Sequence, residues 1–182
     1  MEDPAARFRA LFEATYGAVR RYAHHRGVTG GQADDVVAET FLVAWRRLDD
    51  VPTDDPLPWL LGVARNVARN ERRSTRRRDA LVLRLPAPRP APPPDEPAET
   101  GLVRAALAAL DEADRELLLL VAWDGLTPGR AAQVLGCSAG AARVRLHRAR
   151  RRFADELGKR STPDGQIPHE SQTGEELDHG RT

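Results

Sequence analysis

Six arginines fall within ten consecutive residues of the stretch GAARVRLHRARRRF, at positions 143, 145, 148, 150, 151 and 152. An arginine fork can bond the edge of a guanine with two parallel hydrogen bonds or clamp a phosphate group. A run of charge is also typical of a helix face that only meets water. The elements around the run therefore decide between a nucleic-acid contact and a solvated surface.

The residues just before the arginines have the pattern of a helix-turn-helix. A short apolar helix is predicted to start at Thr127 or Pro128 and to end at Gly136, followed by a glycine-containing turn and a helix capped by Ser138. On that second helix one face is apolar and the arginines point elsewhere; the apolar residues are Ala142, Leu146 and Phe153. We expect this helix to enter a DNA major groove, with residues 148–152 gripping phosphate.

A second basic surface lies in PWLLGVARNVARNERRSTRRR, residues 58–78. Helical spacing places Arg65, Arg69 and Arg72 on one stripe. The neighbouring stripe carries Asn66, Asn70 and Arg73. Asparagine is a mediocre helix former, so two asparagines four residues apart on a helix indicate a function, which here would be the reading of unpaired bases. The alternative is that both are exposed asparagines without a role. Trp59 is either a stacking residue beside this surface or, as we favour, part of the core.

The apolar periodicity is helical throughout, which predicts an all-α fold of two small domains. The first, residues 5–80, contains a helix ending near Gly27, a helix over residues 33–48 and a third starting at Pro58, with Leu60, Val63, Ala64 and Val67 buried. A proline-rich linker, residues 81–97, separates it from the helix-turn-helix domain of residues 98–158. Residues 159–182 have almost nothing apolar to bury and are expected to be a disordered tail.

Composition excludes several classes of function. The 182 residues carry a formal charge of only +1, but the charge is segregated, as binding of a polyanion requires. The single cysteine, Cys137, precludes an internal disulfide and is expected to be a small packing residue, and the five histidines form no metal-binding pattern. We expect no metal, no cofactor, no small-molecule substrate, no membrane segment and no enzymatic activity, in a protein that stays in the cytoplasm.

With these motifs the sequence resembles the sigma factors of bacterial RNA polymerase, specifically the small extracytoplasmic-function (ECF) group. ADDVVAETFLVAWRRL is similar to the family's polymerase-binding helix, residues 58–78 to the helix that melts and reads the minus-ten element, and LTPGRAAQVLGCSAGAARVRLHRAR to the minus-35 helix-turn-helix. The three motifs stand in the family's order with a linker between the second and the third.

The resemblance implies a role for particular residues. It places the surface for core RNA polymerase at Asp34, Asp35, Glu39, Thr40, Phe41 and Trp45. Because Phe41 and Trp45 belong to the apolar stripe, we expect the acids and Thr40 to make the contacts. The minus-ten residues are Arg65, Asn66, Arg69, Asn70, Arg72 and Arg73. The minus-35 residues are Ser138, Ala141, Arg143, Val144, Arg145, His147 and Arg148.

This chain departs from the family pattern in places. Ala141 and Val144 replace hydroxyl residues, which removes two hydrogen bonds from base reading, and Asn70 replaces an aspartate, which removes a negative charge beside DNA. Residues 49–57 occupy the place of the loop that captures a flipped base, and their four aspartates should repel phosphate. Contacts from this loop should therefore come from its backbone or its orientation.

The sequence thus predicts a transcription initiation factor whose partners are core RNA polymerase and promoter DNA. An inhibitory anti-sigma factor is a further candidate partner, because such partners are common in the family. The alternative function is a helix-turn-helix regulator that works without polymerase. The acidic tail suggests a further hypothesis, that it shields the basic helix before polymerase binds.

Overall fold

The computed structural model describes residues 3–26, 31–82 and 98–161, and in these ranges it has helices and no strand. The first segment, residues 3–82, contains α1 (Pro4–His25), α2 (Gly31–Arg46), a short 3-10 turn (Leu48–Asp50) and α3 (Leu57–Val82). The second segment, residues 98–161, contains α4 (Ala98–Ala108), α5 (Glu112–Ala122), α6 (Pro128–Leu135) and α7 (Ala139–Ser161). The predicted all-α class and the two helical units are confirmed.

Local signals explain where several of these helices begin. Asp3 accepts a hydrogen bond from the Ala5 amide at the start of α1, and Pro4 occupies the first turn. Asp111 caps α5 in the same way through the Asp114 amide at 2.8 Å. That bond is the main reason why the pKa of Asp111 lies below its ordinary value.

Some predicted boundaries were wrong. The second helix runs over Gly31–Arg46 rather than 33–48, because the chain tightens into the 3-10 turn at Leu48. The third helix extends to Val82, into the segment predicted to be linker, and α7 extends to Ser161, into the predicted tail. The rest of the predicted linker and tail, and the glycine break before α2, lie outside the described residues.

Buried apolar side chains from both segments form one continuous core. Val19 and Phe41 contribute to it from the first segment, and Leu117 and Leu146 from the second. Four aliphatic side chains of α3 are buried within residues 57–75: Leu60, Leu61, Ala64 and Ala68. The predicted Val63 and Val67 are only half-buried, because α3 turns its inner face toward α6 as well as toward α1 and α2.

The contact between the two segments, which we call the junction, is largely polar at its edges. It comprises Tyr22, His25, Arg26, Asp55 and Arg72 of the first segment and Glu112, Glu116, Trp123, Asp124 and Arg130 of the second. The sequence patterns predicted two units on a tether but gave no indication that they would pack together.

Candidate nucleic-acid interface

The helix-turn-helix is built as its sequence predicts. Thr127 caps α6 by accepting a hydrogen bond from the Arg130 amide at 3.3 Å. Gly136 ends the helix with φ of 67°, a left-handed conformation that favours glycine. Ser138 then accepts a hydrogen bond from the Ala141 amide at 3.1 Å, which starts α7. Cys137, in the turn, packs against the core as a partly buried residue.

The two faces of α7 are separated as predicted. Ala142, Leu146 and Ala149 are buried and dock the helix on α4, α5 and α6. All the minus-35 candidates are exposed: Ser138, Ala141, Arg143, Val144, Arg145, His147 and Arg148. Val144 is 54% exposed, which is unusual for an apolar side chain on a docked helix and leaves it open to a thymine methyl group.

Two of the six arginines are committed to ion pairs inside the protein. Arg145 and Arg152 both contact Asp114, at 3.3 and 3.0 Å, and Arg152 also reaches Asp111 at 3.5 Å. Burial and the charge of Asp111 raise the pKa of Asp114, and the two arginines oppose that shift. The others, Arg143, Arg148, Arg150 and Arg151, make no ion pair with another described residue. These four are available to DNA.

The two predicted stripes of α3 differ in their exposure to solvent. Asn66, Asn70 and Arg73 are exposed to solvent, as a surface that reads bases requires. Arg65, Arg69 and Arg72 are half-buried. Arg72 lies 3.8 Å from Glu112 of α5, and Arg65 lines a cleft with residues of α6. Thus the six predicted minus-ten residues do not form one open surface in this conformation.

The loop over residues 49–57 is less repulsive to phosphate than its four aspartates suggested. Asp55 accepts two hydrogen bonds from Arg130 of α6, at 2.9 and 2.6 Å. Asp50 pairs with Arg47 at 2.8 Å. Trp59, at the start of α3, packs partly buried against the core, as we favoured, with the Arg47 guanidinium 5.8 Å from its ring centre.

The three acids expected to face polymerase on α2 are exposed: Asp34, Asp35 and Glu39. The expected burial was wrong for Thr40, which was predicted to be exposed, and for Trp45, which was predicted to be part of the core. Thr40 is fully buried and donates its hydroxyl to the Val36 carbonyl at 2.6 Å, so it is not an exposed contact residue. Trp45 is 47% exposed rather than part of the core stripe, because it lies at the edge of an aromatic cluster, 5.1 Å from the ring of Phe8.

Sequence reasoning missed one residue of this surface. Leu42 is 40% exposed and lines, with Asp35 and Glu39, a groove of about 950 Å³ between α2 and α3. The sequence could have indicated that Leu42 is exposed, because Leu42 lies outside the buried stripe of Val37 and Phe41. Phe41 itself is buried, as expected from that stripe.

Comparison with known proteins identifies the family of this chain. Residues 11–78 match the family described as Sigma-70 region 2, and residues 100–153 match Sigma-70, region 4. The chain is 33% identical over 143 residues to the RNA polymerase sigma factor NccH of Alcaligenes xylosoxydans xylosoxydans, covering 73% of this chain and 77% of that one. It is 34% identical over 164 residues to the ECF RNA polymerase sigma factor SigL of Mycobacterium tuberculosis, covering 85% and 92%.

The chain belongs to the sigma-70 family, in its ECF group. As a sigma factor it directs RNA polymerase to promoters in transcription initiation.

Solved structures agree with this assignment. The structure of CnrH in complex with the cytosolic domain of CnrY matches 85% of this sigma factor and 89% of the solved chain, with a TM-score of 0.62 and 30% identity. The sigma factor RpoE of Bartonella quintana, solved with the anti-sigma factor NepR, matches 83% and 96% with a TM-score of 0.63 and 25% identity. None of the described helices is long and apolar enough to cross a membrane.

Burial controls the ionisation of the junction in this sigma factor. Tyr22 donates its hydroxyl to Glu116 at 2.7 Å, and burial together with the Glu116 charge raises the pKa of Tyr22. Arg26 contacts Glu116 at 3.1 Å and Asp124 at 2.9 Å. Burial also raises the pKa of Asp124, against the opposing charge of Arg26.

Proposed function

We propose that this sigma factor reads the minus-35 element through the exposed face of α7, reads the minus-ten element through α3, and holds core polymerase on the outer face of α2. The single observation that carries the proposal is the exposed face of α7, where seven predicted contact residues lie together at the N-terminal half of a docked second helix of a helix-turn-helix.

At the minus-35 element Arg143, Val144 and His147 read bases. They lie on the outer face of the second and third turns of α7, opposite the buried Ala142 and Leu146. Arg148 and the later unpaired arginines bind phosphate and supply most of the salt-dependent affinity. Arg145 contributes less than its charge suggests, because its guanidinium is held 3.3 Å from the Asp114 carboxylate.

At the minus-ten element the exposed stripe Asn66, Asn70 and Arg73 binds unpaired bases. An asparagine amide offers both donors and an acceptor to a base edge, and these contacts offset the cost of unstacking, a few kcal/mol per step. Arg65, Arg69 and Arg72 join this surface only when the second segment no longer covers their stripe.

The polymerase contact consists of an acidic rim and an apolar centre. Asp34, Asp35 and Glu39 supply the rim, and Trp45 and Leu42 supply exposed apolar area. Large aromatic side chains in such positions commonly carry most of an interface's binding energy. Trp45 is therefore kept as a direct contact, and the buried Thr40 is removed from the proposed contacts.

The protein acts by binding, without catalytic chemistry of its own, and it works in the cytoplasm. The alternative function, a polymerase-independent regulator, accounts for α7 but gives no role to the exposed asparagines of α3 or to Trp45. An anti-sigma factor is a candidate partner, since CnrH and RpoE were each solved with a binding partner.

The test is run-off transcription with purified core polymerase on a library of promoter sequences, with and without the protein. Specific transcripts that require the protein support the proposal and reveal both promoter elements. An Arg143→Ala variant should lose these transcripts, whereas Arg9→Ala, an exposed arginine on α1, should keep them. Duplex binding without transcripts and without co-purification of core polymerase would favour the regulator.

A further inference from the structure

The carboxylate of Asp114 joins the first turn of α5 to two separate turns of α7. Its side chain is only 7% exposed. One oxygen, Oδ1, lies 3.3 Å from Nε of Arg145, and the other, Oδ2, lies 3.0 Å from Nη1 of Arg152. The two arginines are seven residues apart, which places them on the same face of α7, two turns from each other. One buried carboxylate therefore holds two arginines of the helix that we assign to DNA.

A third arginine lies between these two without such a partner. Arg148 follows Arg145 by three residues and precedes Arg152 by four, so the three form one stripe, which we call the arginine row. All three line a cleft of about 600 Å³. Arg148 makes no ion pair with another described residue. The arginine row thus has two paired ends and an unpaired centre.

The paired arginines are still open to solvent. Their side chains are 47% exposed in Arg145 and 60% exposed in Arg152, although the carboxylate that holds them is buried. Without that carboxylate, both guanidinium groups could bind the phosphates of a duplex lying against α7. Contacts to phosphate add affinity for every DNA sequence and carry no sequence information.

We propose that Asp114 is a positioning residue that holds Arg145 and Arg152 away from the DNA backbone and so limits the sequence-independent affinity of α7. This inference rests on the proposed function, in which the outer face of α7 binds the minus-35 element. Asp114 acts through the two arginines. Arg148 is then the residue of the arginine row that binds phosphate.

The burial of Asp114 explains why the pairs persist beside DNA. An arginine that turned from Asp114 to a phosphate would leave a buried carboxylate short of a partner, which is costly. In return it would gain another solvent-exposed ion pair, which stabilises little. Replacing Asp114 by asparagine removes this cost and leaves no buried charge unpaired, because the arginines are the exposed partners.

Limited backbone affinity matters for a protein that must find few sites. Nonspecific sites vastly outnumber promoters in a genome, and every phosphate contact strengthens binding to all of them. Holding two arginines on an internal carboxylate therefore reduces the amount of protein bound to nonspecific DNA. The base contacts that we assign to Arg143, Val144 and His147 are left unchanged.

The primary experiment measures binding of the full-length protein to a labelled duplex of mixed sequence by fluorescence anisotropy at several salt concentrations. Asp114→Asn should bind about three- to tenfold more tightly at low salt. The slope of log affinity against log salt should steepen by about 0.9 for each arginine released. Asp114→Glu keeps the charge and should remain close to the wild-type protein.

Glu112→Gln is the matched control for loss of a negative charge. Glu112 belongs to the same first turn of α5, but its carboxylate lies 3.8 Å from Arg72 of the first segment rather than against α7. This variant should leave the salt slope unchanged. A gain equal to that of Asp114→Asn would mean that net charge alone, and not the release of arginines, controls the affinity.

A double-mutant cycle tests whether Asp114 acts through the arginines. Arg145→Gln in the wild-type chain should weaken binding less than about twofold, whereas in the Asp114→Asn background it should remove most of the gain. Arg152→Gln should remove a smaller part, because Arg152 keeps Asp111 as a second partner at 3.5 Å. A merely structural role of Asp114 predicts lower affinity in Asp114→Asn and no such coupling.

Several results would overturn the proposal. They are an unchanged affinity and slope in Asp114→Asn, a gain confined to one minus-35 sequence, and a tenfold loss from Arg145→Gln in the wild-type chain. The last result remains decisive even if circular dichroism shows that Asp114→Asn loses helicity. Absence of any duplex binding by the wild-type protein at low salt would contradict the DNA-binding role of α7 as well, whereas normal binding with an unaltered slope in Asp114→Asn contradicts the role of Asp114 alone.

Discussion

Tyr22 of α1 donates its hydroxyl to Glu116 of α5 at 2.7 Å, and 94 residues of chain separate the two. Both side chains are buried, and Arg26 contacts the same carboxylate oxygen of Glu116 at 3.1 Å. The hydrogen bond therefore belongs to an ionic cluster that exists only when the two segments of the sigma factor pack together.

The Tyr22 hydroxyl should contribute measurably to stability. Tyr22→Phe leaves the buried Glu116 with one donor fewer and should lower the free energy of unfolding by about 1–3 kcal/mol in urea titrations. Tyr16→Phe is the control, because Tyr16 is 38% exposed and should change little. Equal stability of the two variants would mean that the junction is absent in solution.

The arginines of α7 should separate into base readers and phosphate binders. Arg143→Ala should cost about 1–3 kcal/mol on the preferred minus-35 sequence and relax specificity at one position. Arg150→Ala should weaken binding to every duplex equally and reduce the slope of log affinity against log salt by about 0.9. Titrations at several salt concentrations distinguish these outcomes, and a uniform loss with Arg143→Ala would make it a phosphate contact.

The asparagines of α3 should matter for promoter opening. Asn66→Ala and Asn70→Ala should each reduce transcription from closed promoter templates about two- to tenfold, the loss of one hydrogen bond to a base. Templates with a pre-melted minus-ten region lower the cost of opening and should reduce the defect. Gln32→Ala, an exposed amide on α2, provides the control, and a similar defect there would remove the specific role of α3.

The polymerase surface should depend on Trp45 rather than Thr40. Trp45→Ala should weaken binding to core polymerase by about 2 kcal/mol, a typical loss for an aromatic interface residue. Thr40→Val keeps the buried volume and removes a hydroxyl that only contacts the Val36 carbonyl, so polymerase affinity should stay within about twofold. Affinity is measured by binding of each variant to surface-immobilised polymerase. A larger loss of affinity for Thr40→Val than for Trp45→Ala would refute this assignment.

The His25–Trp123 contact should make the junction sensitive to mild acid. His25 accepts a hydrogen bond from the Trp123 indole at 2.7 Å, which requires a neutral ring nitrogen. Burial lowers the pKa of His25 despite Asp124 nearby, and Arg26, Arg21 and His24 lower it further. The contribution is therefore complete above the unfolded-state pKa of about 6.5 and declines as pH falls below it.

Melting temperatures between pH 7.5 and 5.5 test this dependence. The wild-type protein should lose more stability over that range than a Trp123→Phe variant, which lacks the indole donor. Identical pH profiles would show that the contact does not contribute. The effect should be small, because Trp123 is 54% exposed.

Much of the sigma factor follows from its sequence alone, because the relevant signals are local. Helical periodicity, the Thr127 and Ser138 caps and the left-handed Gly136 act within a few residues of each other. They determine the helix-turn-helix and the outward face of α7 whatever the rest of the chain does. The acids of α2 and the asparagines of α3 were placed correctly on exposed faces for the same reason.

Tertiary structure decided what depends on residues far apart in the chain. The partners Asp55 and Arg130 lie 75 residues apart, and Arg26 and Asp124 lie 98 apart, so no local pattern predicts either pair. Trp45 lies on the apolar stripe of α2 and Thr40 lies beside it, yet packing against α1 and α3 buries Thr40 and leaves Trp45 half-exposed. Helical periodicity predicts the direction in which a side chain points from the axis of its helix. Whether that side chain is buried depends on which other helix packs against that face.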